Sequence, residues 1–147
     1  MSFDFTQALR ILIVEDEAVN SKLLQGMLSK SELAIDEVKS TESFAAALAL
    51  LQENDYDVVL LDLNLPDSQG MDTLISLSAK HPQAAIVVIT GQYDDKIGLK
   101  AITNGAQEYL VKGRYDTYLL NKSIFYALER KQSGKDKKPG EISGRKS

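Results

Sequence analysis

The chain alternates between short apolar runs and longer stretches in which apolar residues recur every three or four positions. A short run of consecutive or alternating apolar residues is typical of a strand, and recurrence at three and four positions is typical of a helix. The runs predict five strands: ILIV (11–14), AIDEV (34–38), DVVLLD (57–62), AAIVVIT (84–90) and AQEYLVK (106–112).

Helical spacing follows every one of these runs. The five predicted helices begin at Glu17, after a cap at Ser40 or Thr41, after a loop marked by Pro66 and Gly70, near residue 94, and near Asp116. The fourth helix is the weakest, because Gly98 costs about 1 kcal/mol relative to alanine in a helix interior. The fifth is expected to end near Lys131 and to turn Leu119 inward with its other apolar residues.

Strands 1, 3 and 4 are apolar at successive positions, whereas strand 2 is more polar. Successive apolar residues are expected where helices cover both faces of a parallel sheet, and the polar strand is expected at an edge. The sequence therefore predicts a doubly wound α/β fold of five βα units. Ligands in such folds bind at the carboxyl ends of the strands.

The composition excludes several kinds of site. The 147 residues include no cysteine, which excludes disulfides, thiolate metal sites and cysteine nucleophiles. The single histidine, His81, excludes metal sites built from several histidines. No apolar run approaches the roughly 20 residues of a membrane span, and the first residues lack the pattern of a secretory signal. We therefore expect a cytoplasmic protein that does not bind a membrane.

Charge is distributed unevenly along the chain. The net charge is −4, yet residues 131–147 carry six lysines and arginines against two acids. Residues 1–130 are therefore strongly acidic, which argues against direct binding of nucleic acid. The last segment is polar and rich in lysine, as solvated tails are. We expect a domain over 1–130 and a basic polar tail or linker over 131–147.

Polar side chains stand where four of the strands end. Glu15 and Asp16 follow strand 1, Asp62 ends strand 3, Thr90 ends strand 4 and Lys112 ends strand 5. The fold would bring them to one edge of the sheet, where three carboxylates without a counter-charge repel one another. Oxygen ligands without nitrogen or sulfur suit Mg²⁺, and we expect a magnesium site there.

The same set is sufficient for transfer of a phosphoryl group to a carboxylate. Asp62 would be the nucleophile, while the metal and Lys112 would neutralise charge on the transferred oxygens. The Thr90 hydroxyl would donate a hydrogen bond. Taken singly, each residue has a structural explanation, since acids at strand ends often cap the next helix. Their presence together on four strand ends favours the functional interpretation.

At these residues the sequence closely resembles the receiver domain of bacterial two-component response regulators, of the chemotaxis-regulator type. The resemblance covers residues 9–130 and rests on the segments ILIVED, VVLLDLNLPDSQG, VVITG and GAQEYLVKG. It implies a flavodoxin-like fold, with a five-stranded parallel sheet in the order 2-1-3-4-5 and five helices. It also implies a phosphoprotein of phosphorelay signal transduction, which catalyses only its own phosphorylation and dephosphorylation.

The resemblance implies roles for the residues around the metal. Asp62 would accept a phosphoryl group from a phosphohistidine. Asp16, Asp62 and the main-chain carbonyl of Asn64 would hold Mg²⁺, with Glu15 helping through water. Many members have aspartate at the position of Glu15, which should still reach the water shell of the metal. Asn64 and Gln92 match positions that tune the dephosphorylation rate in the family.

The resemblance also implies a switch. Thr90 and Lys112 would bind phosphoryl oxygens, and Tyr109 would turn inward when Thr90 is drawn to the phosphate. One departure from the family lies beside this machinery, because Lys112 is followed by Gly113 where the family often has a proline with a cis bond. A residue other than proline favours the trans bond, so we expect the loop after Lys112 to take a different path.

The chain has a single candidate for a phosphohistidine, and this bears on the identity of the phosphodonor. His81 precedes Pro82, which favours a surface loop over a phosphohistidine. The donor would therefore be a sensor histidine kinase, a phosphotransfer protein or a small acyl phosphate. Helix 4, strand 5 and helix 5 would relay the state to a downstream effector protein or a fused output domain. A homodimer through helices 4 and 5 is left open.

The residues disfavour three other functions and leave a fourth open. A haloacid-dehalogenase-like phosphatase would need a second acid two residues after Asp62, where the chain has Asn64. A nucleotide-binding protein would need a G-x-x-x-x-G-K-[ST] loop, which is absent. A flavodoxin-like FMN carrier would need a phosphate loop where the chain has the acidic EDEAVN. A degenerate receiver that only binds proteins stays open until phosphorylation is assayed.

Overall fold

Strands and helices alternate along the part of the chain that the structure describes. This computed structural model describes residues 8–91 and 95–136. The strands are β1 (Leu9–Val14), β2 (Ile35–Thr41), β3 (Val58–Asp62), β4 (Ala85–Thr90) and β5 (Glu108–Val111). The helices are α1 (Ala18–Ser29), α2 (Phe44–Glu53), α3 (Met71–Lys80), α4 (Asp95–Thr103) and α5 (Thr117–Asp136). The predicted alternation is confirmed.

The strands form one parallel sheet in the order β2-β1-β3-β4-β5. The predicted fold class and strand order are therefore confirmed, with the polar strand β2 at an edge. The register aligns the strand ends, because Asp62 lies opposite Ile89 and Thr90 lies opposite Val111. The strand order reverses between β1 and β3, and this is where doubly wound sheets open a crevice at their carboxyl ends.

Two apolar layers cover the sheet. Successive residues of a strand point to opposite faces, so Ile86 and Val88 pack with residues of α2 and α3, whereas Val87 and Ile89 pack with residues of α1 and α5. Every residue of β4 is buried. Truncating a buried leucine or isoleucine to alanine typically costs about 2–5 kcal/mol. The strands therefore provide a rigid support for the loops at their ends.

The start of α2 differs from the prediction. Ser43 is the N-cap, and its side chain accepts a hydrogen bond from the N–H of Ala46 at 3.1 Å. Ser40 and Thr41, the predicted caps, are instead the last residues of β2. The Ser40 hydroxyl is hydrogen-bonded to the Ser21 hydroxyl of α1 at 2.7 Å, so it connects the edge strand to a helix.

Helix α5 differs from the prediction at both ends. Leu119 is 40% exposed, whereas its neighbour Leu120 is fully buried, so the inward position predicted for Leu119 is wrong. The helix also continues to Asp136, past the end predicted at Lys131. Lysine and glutamine favour helix even without apolar neighbours. No helix in the described ranges is both long enough and apolar enough to cross a bilayer.

Arg10 ties together the amino ends of the strands, at the edge opposite the acids. Its N–H donates to the carboxylate of Asp57 at 2.9 Å, and its guanidinium donates to the carbonyl of Asp55 and the carboxylate of Glu37, each at 3.1 Å. The guanidinium also lies 5.0 Å from the ring centroid of Tyr56. Arg10 therefore joins β1 to β2 through its side chain and to the segment before β3 through both its side chain and its main chain.

Candidate functional site

The carboxyl ends of the strands surround a cleft of about 630 Å³. Its lining includes Asp62, Thr90 and Lys112 from the strand ends and Asn64 from the loop after β3. Lys112 is held at the level of the neighbouring strand, because its N–H donates to the carbonyl of Thr90 at 2.8 Å. The fold thus brings together predicted site residues from three strands that are far apart in sequence.

Three acidic side chains meet at this cleft. One carboxylate oxygen from each of Glu15, Asp16 and Asp62 lies within 4.8 Å of the other two. Glu15 and Asp62 are buried, at 2% and 4% exposure, whereas Asp16 is exposed. Oxygen-only ligands with one open side fit a hard divalent cation such as Mg²⁺, which keeps several of its waters. The donor set therefore fits the predicted metal.

Lys112 supplies the positive charge at the acids. Its Nζ lies 3.1 Å from Glu15 Oε1, 3.1 Å from Asp62 Oδ2 and 3.4 Å from Glu17 Oε1. Burial alone would lower the pKa of Lys112, but hydrogen bonds and charges from Asp62 and Glu15 outweigh burial and raise that pKa above its ordinary value. The ammonium therefore stays charged at physiological pH.

Glu15 is an acid whose pKa is raised. Burial raises the pKa of Glu15 to about 7, and the negative charge of Asp62 acts in the same direction. Hydrogen bonds from the N–H of Glu17, at 3.1 Å, and from Lys112 act in the opposite direction without cancelling the burial. The positive charge of Lys112, 3.1 Å from both Glu15 and Asp62, thus relieves the repulsion expected among the acids.

The loop after β3 folds back beside Asp62. The N–H of Asn64 donates to Asp62 Oδ1 at 3.0 Å, and Asn64 forms an isolated antiparallel bridge with Gln69. The N–H of Gly70 closes the loop by donating to the carbonyl of Leu63 at 2.7 Å. Gly70 has a φ of 74°, a left-handed conformation that favours glycine. The glycine therefore allows α3 to begin directly after the loop.

The tip of this loop is fastened to the start of α2. The two carboxylate oxygens of Asp67 accept hydrogen bonds from the N–H groups of Phe44 and Ala45, each at 2.9 Å. The first N–H groups of a helix have no partner within the helix. The hydrogen bond from Ala45, and to a smaller extent the one from Phe44, holds the pKa of the Asp67 carboxyl below its ordinary value. The loop that carries Asn64 is therefore anchored to a neighbouring helix.

Tyr109 of β5 packs on α4 at Gly98. A Cβ atom added at Gly98 would lie 2.1 Å from the Cζ atom of the Tyr109 ring, so the glycine provides the space for the ring. Thr90 is 6% exposed at the end of β4. The predicted switch pair, Thr90 and Tyr109, thus occupies adjacent strands.

The loop after Lys112 follows a path that only its glycine allows easily. Gly113 has a φ of 79°, whereas proline is fixed near −65°. The described peptide bonds are all trans, in agreement with the expectation for a residue other than proline. Gln92, the second residue expected to tune dephosphorylation, lies outside the described residues.

Two side chains near Lys112 were not among the predicted site residues. Glu17 Oε1 accepts a hydrogen bond from Asn20 Nδ2 at 2.6 Å in addition to its contact with Lys112. Tyr115 is the second. Burial raises the pKa of its hydroxyl, the charge of Glu15 raises that pKa further, and the charge of Lys112 acts in the opposite direction. The only signal for Glu17 was a third acid in the run Glu-Asp-Glu, and no pattern in the sequence pointed to Tyr115.

Comparison with protein-family models gives a match to the response regulator receiver domain over residues 11–123. The chain belongs to this family. This receiver is 30% identical over 104 residues to the cell cycle transcriptional regulator CtrA of Caulobacter vibrioides, a match that covers 71% of the receiver and 44% of CtrA. The receiver spans about half the length of the curated relatives it matches.

Solved receiver structures have the same fold. The signal receiver domain of an HD domain-containing protein from Pseudomonas fluorescens Pf-5 matches with a TM-score of 0.77 and 28% identity, over 92% of this receiver and 98% of that chain. The Mn²⁺-bound form of the response regulator Rcp1 matches with a TM-score of 0.64 and 28% identity, over 80% and 89%. The family inferred from the strand-end motifs is therefore confirmed.

Proposed function

We propose that this receiver is a phosphoacceptor switch of a two-component phosphorelay, with Asp62 as the acceptor. The observation that carries the proposal is the position of the Asp62 carboxylate, which is buried and lies 3.1 Å from the Lys112 ammonium. A buried carboxylate beside a fixed cation can act as a nucleophile toward phosphorus while the cation neutralises the transferred oxygens.

The reaction proposed for Asp62 is a substitution at phosphorus. A carboxylate oxygen of Asp62 forms a bond to phosphorus while the bond from phosphorus to the donor breaks, and the donor leaves with the bonding electron pair. For phosphohistidine the leaving group is the imidazole, and for an acyl phosphate it is the carboxylate. Lys112 and the Thr90 hydroxyl each donate a hydrogen bond to a phosphoryl oxygen.

The proposed metal is Mg²⁺, held by Glu15 through water and by Asp16, Asp62 and the carbonyl of Asn64. When bound, Mg²⁺ supplies positive charge at the phosphoryl oxygens. The convergence of three carboxylates within 4.8 Å supports this assignment, as does the Mn²⁺-bound form of the similar Rcp1. The residues themselves orient Asp62, because its two oxygens are already fixed by Asn64 and Lys112.

The proposed output begins at Thr90. A phosphoryl group adds about two negative charges and three acceptor oxygens, which would draw the Thr90 hydroxyl toward it and let Tyr109 move. Tyr109 contacts α4, whose Leu99 and Ile102 are 68% and 43% exposed. We therefore propose the surface of α4, β5 and α5 as the face that relays the state, with a homodimer through this face as a further proposal.

The proposed partners are a sensor histidine kinase or phosphotransfer protein upstream and an effector protein or fused output domain downstream. The compartment is the cytoplasm. Residues 1–130 of the receiver are strongly acidic, which argues against direct binding of nucleic acid, because the phosphate backbone attracts basic surfaces. Domain boundaries at 1–130 and 131–147 are part of the same proposal.

Incubation with acetyl phosphate and Mg²⁺, followed by intact-mass spectrometry, tests the acceptor. One phosphoryl group is expected on the wild type, and hydroxylamine should remove it because it cleaves acyl phosphates. Asp62→Asn should abolish the adduct, whereas Asp36→Asn, an exposed control on the edge strand β2, should retain it. An adduct that survives Asp62→Asn, or its absence from the wild type, would refute the proposal.

A further inference from the structure

We infer that Glu17 is a positioning residue that holds Lys112 in the unphosphorylated receiver and competes with the incoming phosphoryl group for it. The inference rests on the proposed phosphorylation of Asp62. Glu17 lines the same cleft as Asp62 and Lys112, and it is not among the residues proposed to hold the metal.

The donors of Lys112 are all engaged before a phosphoryl group arrives. An ammonium group has three N–H donors. Among the residues that the structure describes, three carboxylate oxygens lie within contact distance of Lys112 Nζ: those of Glu15 at 3.1 Å, Asp62 at 3.1 Å and Glu17 at 3.4 Å. A phosphoryl oxygen can therefore bind Lys112 only when one of these contacts is given up.

Glu17 is the partner that Lys112 can give up most easily. Its contact is the longest of the three, and its side chain is 63% exposed, against 2% for Glu15 and 4% for Asp62. An exposed carboxylate that loses its partner is solvated by water, so such ion pairs contribute little. A buried carboxylate that loses its partner is left uncompensated, which is strongly unfavourable.

Two contacts keep Glu17 across the opening of the cleft. Asn20 Nδ2 donates to Glu17 Oε1 at 2.6 Å, and the N–H of Glu17 donates to Glu15 Oε2 at 3.1 Å. The first contact orients the side chain toward Lys112, and the second ties the main chain to the buried acid. Glu17 thus adds a fixed negative charge where a negatively charged phosphodonor has to enter.

Replacing Glu17 with glutamine tests the competition, because the substitution removes the charge and keeps the shape. Glu17→Gln should be phosphorylated by acetyl phosphate roughly 1.4- to fivefold faster than the wild type at low ionic strength, the range expected for one exposed ion pair. The advantage should shrink in about 1 M salt, where the screening length is about 3 Å. A merely structural role of Glu17 would not produce this salt dependence.

Two further variants separate the mechanism from general effects. Glu32→Gln removes the same charge from an exposed position between α1 and β2 and should phosphorylate at the wild-type rate. Asn20→Ala frees the Glu17 side chain and should give a smaller gain of the same sign. In the Glu17→Gln background, Asn20→Ala should have no additional effect, because Asn20 then has no carboxylate to orient.

The outcomes distinguish this inference from the proposed function. Absence of an adduct on wild-type Asp62 would overturn the phosphoacceptor function itself. Phosphorylation of the wild type together with an unchanged or slower rate in Glu17→Gln would overturn only the inference. An equal gain in Glu17→Gln and Glu32→Gln would overturn it as well, since net charge alone would explain the result.

Discussion

The ring of Tyr109 in β5 fills the space that a side chain at position 98 of α4 would need. Three ring carbons of Tyr109 lie 2.1, 2.4 and 2.5 Å from the place where a Cβ of Gly98 would stand. Real Cβ atoms essentially never approach other atoms so closely. The ring therefore packs directly on the backbone of α4, in a position that a side chain at residue 98 would exclude.

Gly98→Ala should displace the ring of Tyr109. The substitution gains about 1 kcal/mol of helix propensity, while overpacking typically costs about 1–3 kcal/mol. We expect a net loss of up to about 2 kcal/mol in the wild-type background. In a Tyr109→Ala background the clash is gone, and the same substitution should stabilise the protein by about 1 kcal/mol. Urea unfolding of the four proteins measures this cycle. An identical effect in both backgrounds would show that the ring is elsewhere.

Alanine substitutions at Gly113 and Gly26 together test the backbone conformation after Lys112. A Cβ added at either glycine meets no atom of the described residues within 4 Å, but of the two only Gly113 has a positive φ, of 79°. Gly113→Ala should therefore destabilise the receiver by about 1–2 kcal/mol. Gly26→Ala, inside α1, should instead stabilise it by up to about 1 kcal/mol.

Gly113→Pro should be worse than Gly113→Ala, although proline is common in the family at this position. Proline cannot adopt the observed φ, so the loop after Lys112 would have to rearrange. Denaturant unfolding measures the free energies of unfolding of Gly113→Ala, Gly26→Ala and Gly113→Pro. Phosphorylation rates of the same variants report whether Lys112 keeps its contacts. A proline variant as stable as the wild type would contradict the conformation described for Gly113.

The anchor formed by Asp67 should depend on pH. Because the folded pKa of Asp67 is lowered, its contribution to stability is present above the ordinary value of 3.8 and is lost as pH falls through the folded pKa. Asp67→Asn should lower the melting temperature by a few degrees at neutral pH. The difference from wild type should vanish in strong acid. A difference in melting temperature that stays constant down to the lowest pH would show that the ionised carboxylate of Asp67 does not stabilise the start of α2.

Mg²⁺ affinity should rise with pH through about 7. The folded pKa of Glu15 is raised to about 7, so below that value the metal has to displace a proton. The raised pKa also predicts that metal-free stability falls as pH rises from 4.5 to about 7, because only the folded state holds the proton there.

Calorimetric titration in two buffers of different ionisation enthalpy measures this proton release. Affinity is expected to increase by up to about tenfold per pH unit below neutrality and to level off above it. Glu15→Gln should flatten the dependence. A wild-type affinity that is constant over this range would mean that Glu15 does not titrate with metal binding.

Much of the cleft could be predicted because parallel topology brings the carboxyl ends of strands to one edge. That rule alone puts Glu15, Asp62 and Lys112 near each other. It does not say which side chains touch across the opening. The contact of Glu17 with Lys112 joins residues 95 positions apart, and it depends on side-chain conformations that no local pattern encodes.

Element boundaries failed where neighbouring residues are chemically equivalent. Ser40, Thr41 and Ser43 are all good N-caps, and the choice of Ser43 depends on how far β2 stays paired with β1. Leu119 and Leu120 are likewise identical in hydrophobicity, so helical spacing could not tell which one packs on the sheet. Tertiary packing decides both cases.

The amino edge of the sheet offers a site for attaching a probe, because Arg10 there donates hydrogen bonds to Asp57, Asp55 and Glu37 without using the Asp55 side chain. Asp55 contributes only its main-chain carbonyl to that network and is exposed. The sequence has no cysteine, so Asp55→Cys would create a unique thiol for a dye or a sensor chip. A molecule immobilised through that thiol would present the cleft with Glu15, Asp16 and Asp62 to the solution. Binding of a kinase could then be recorded without obstruction.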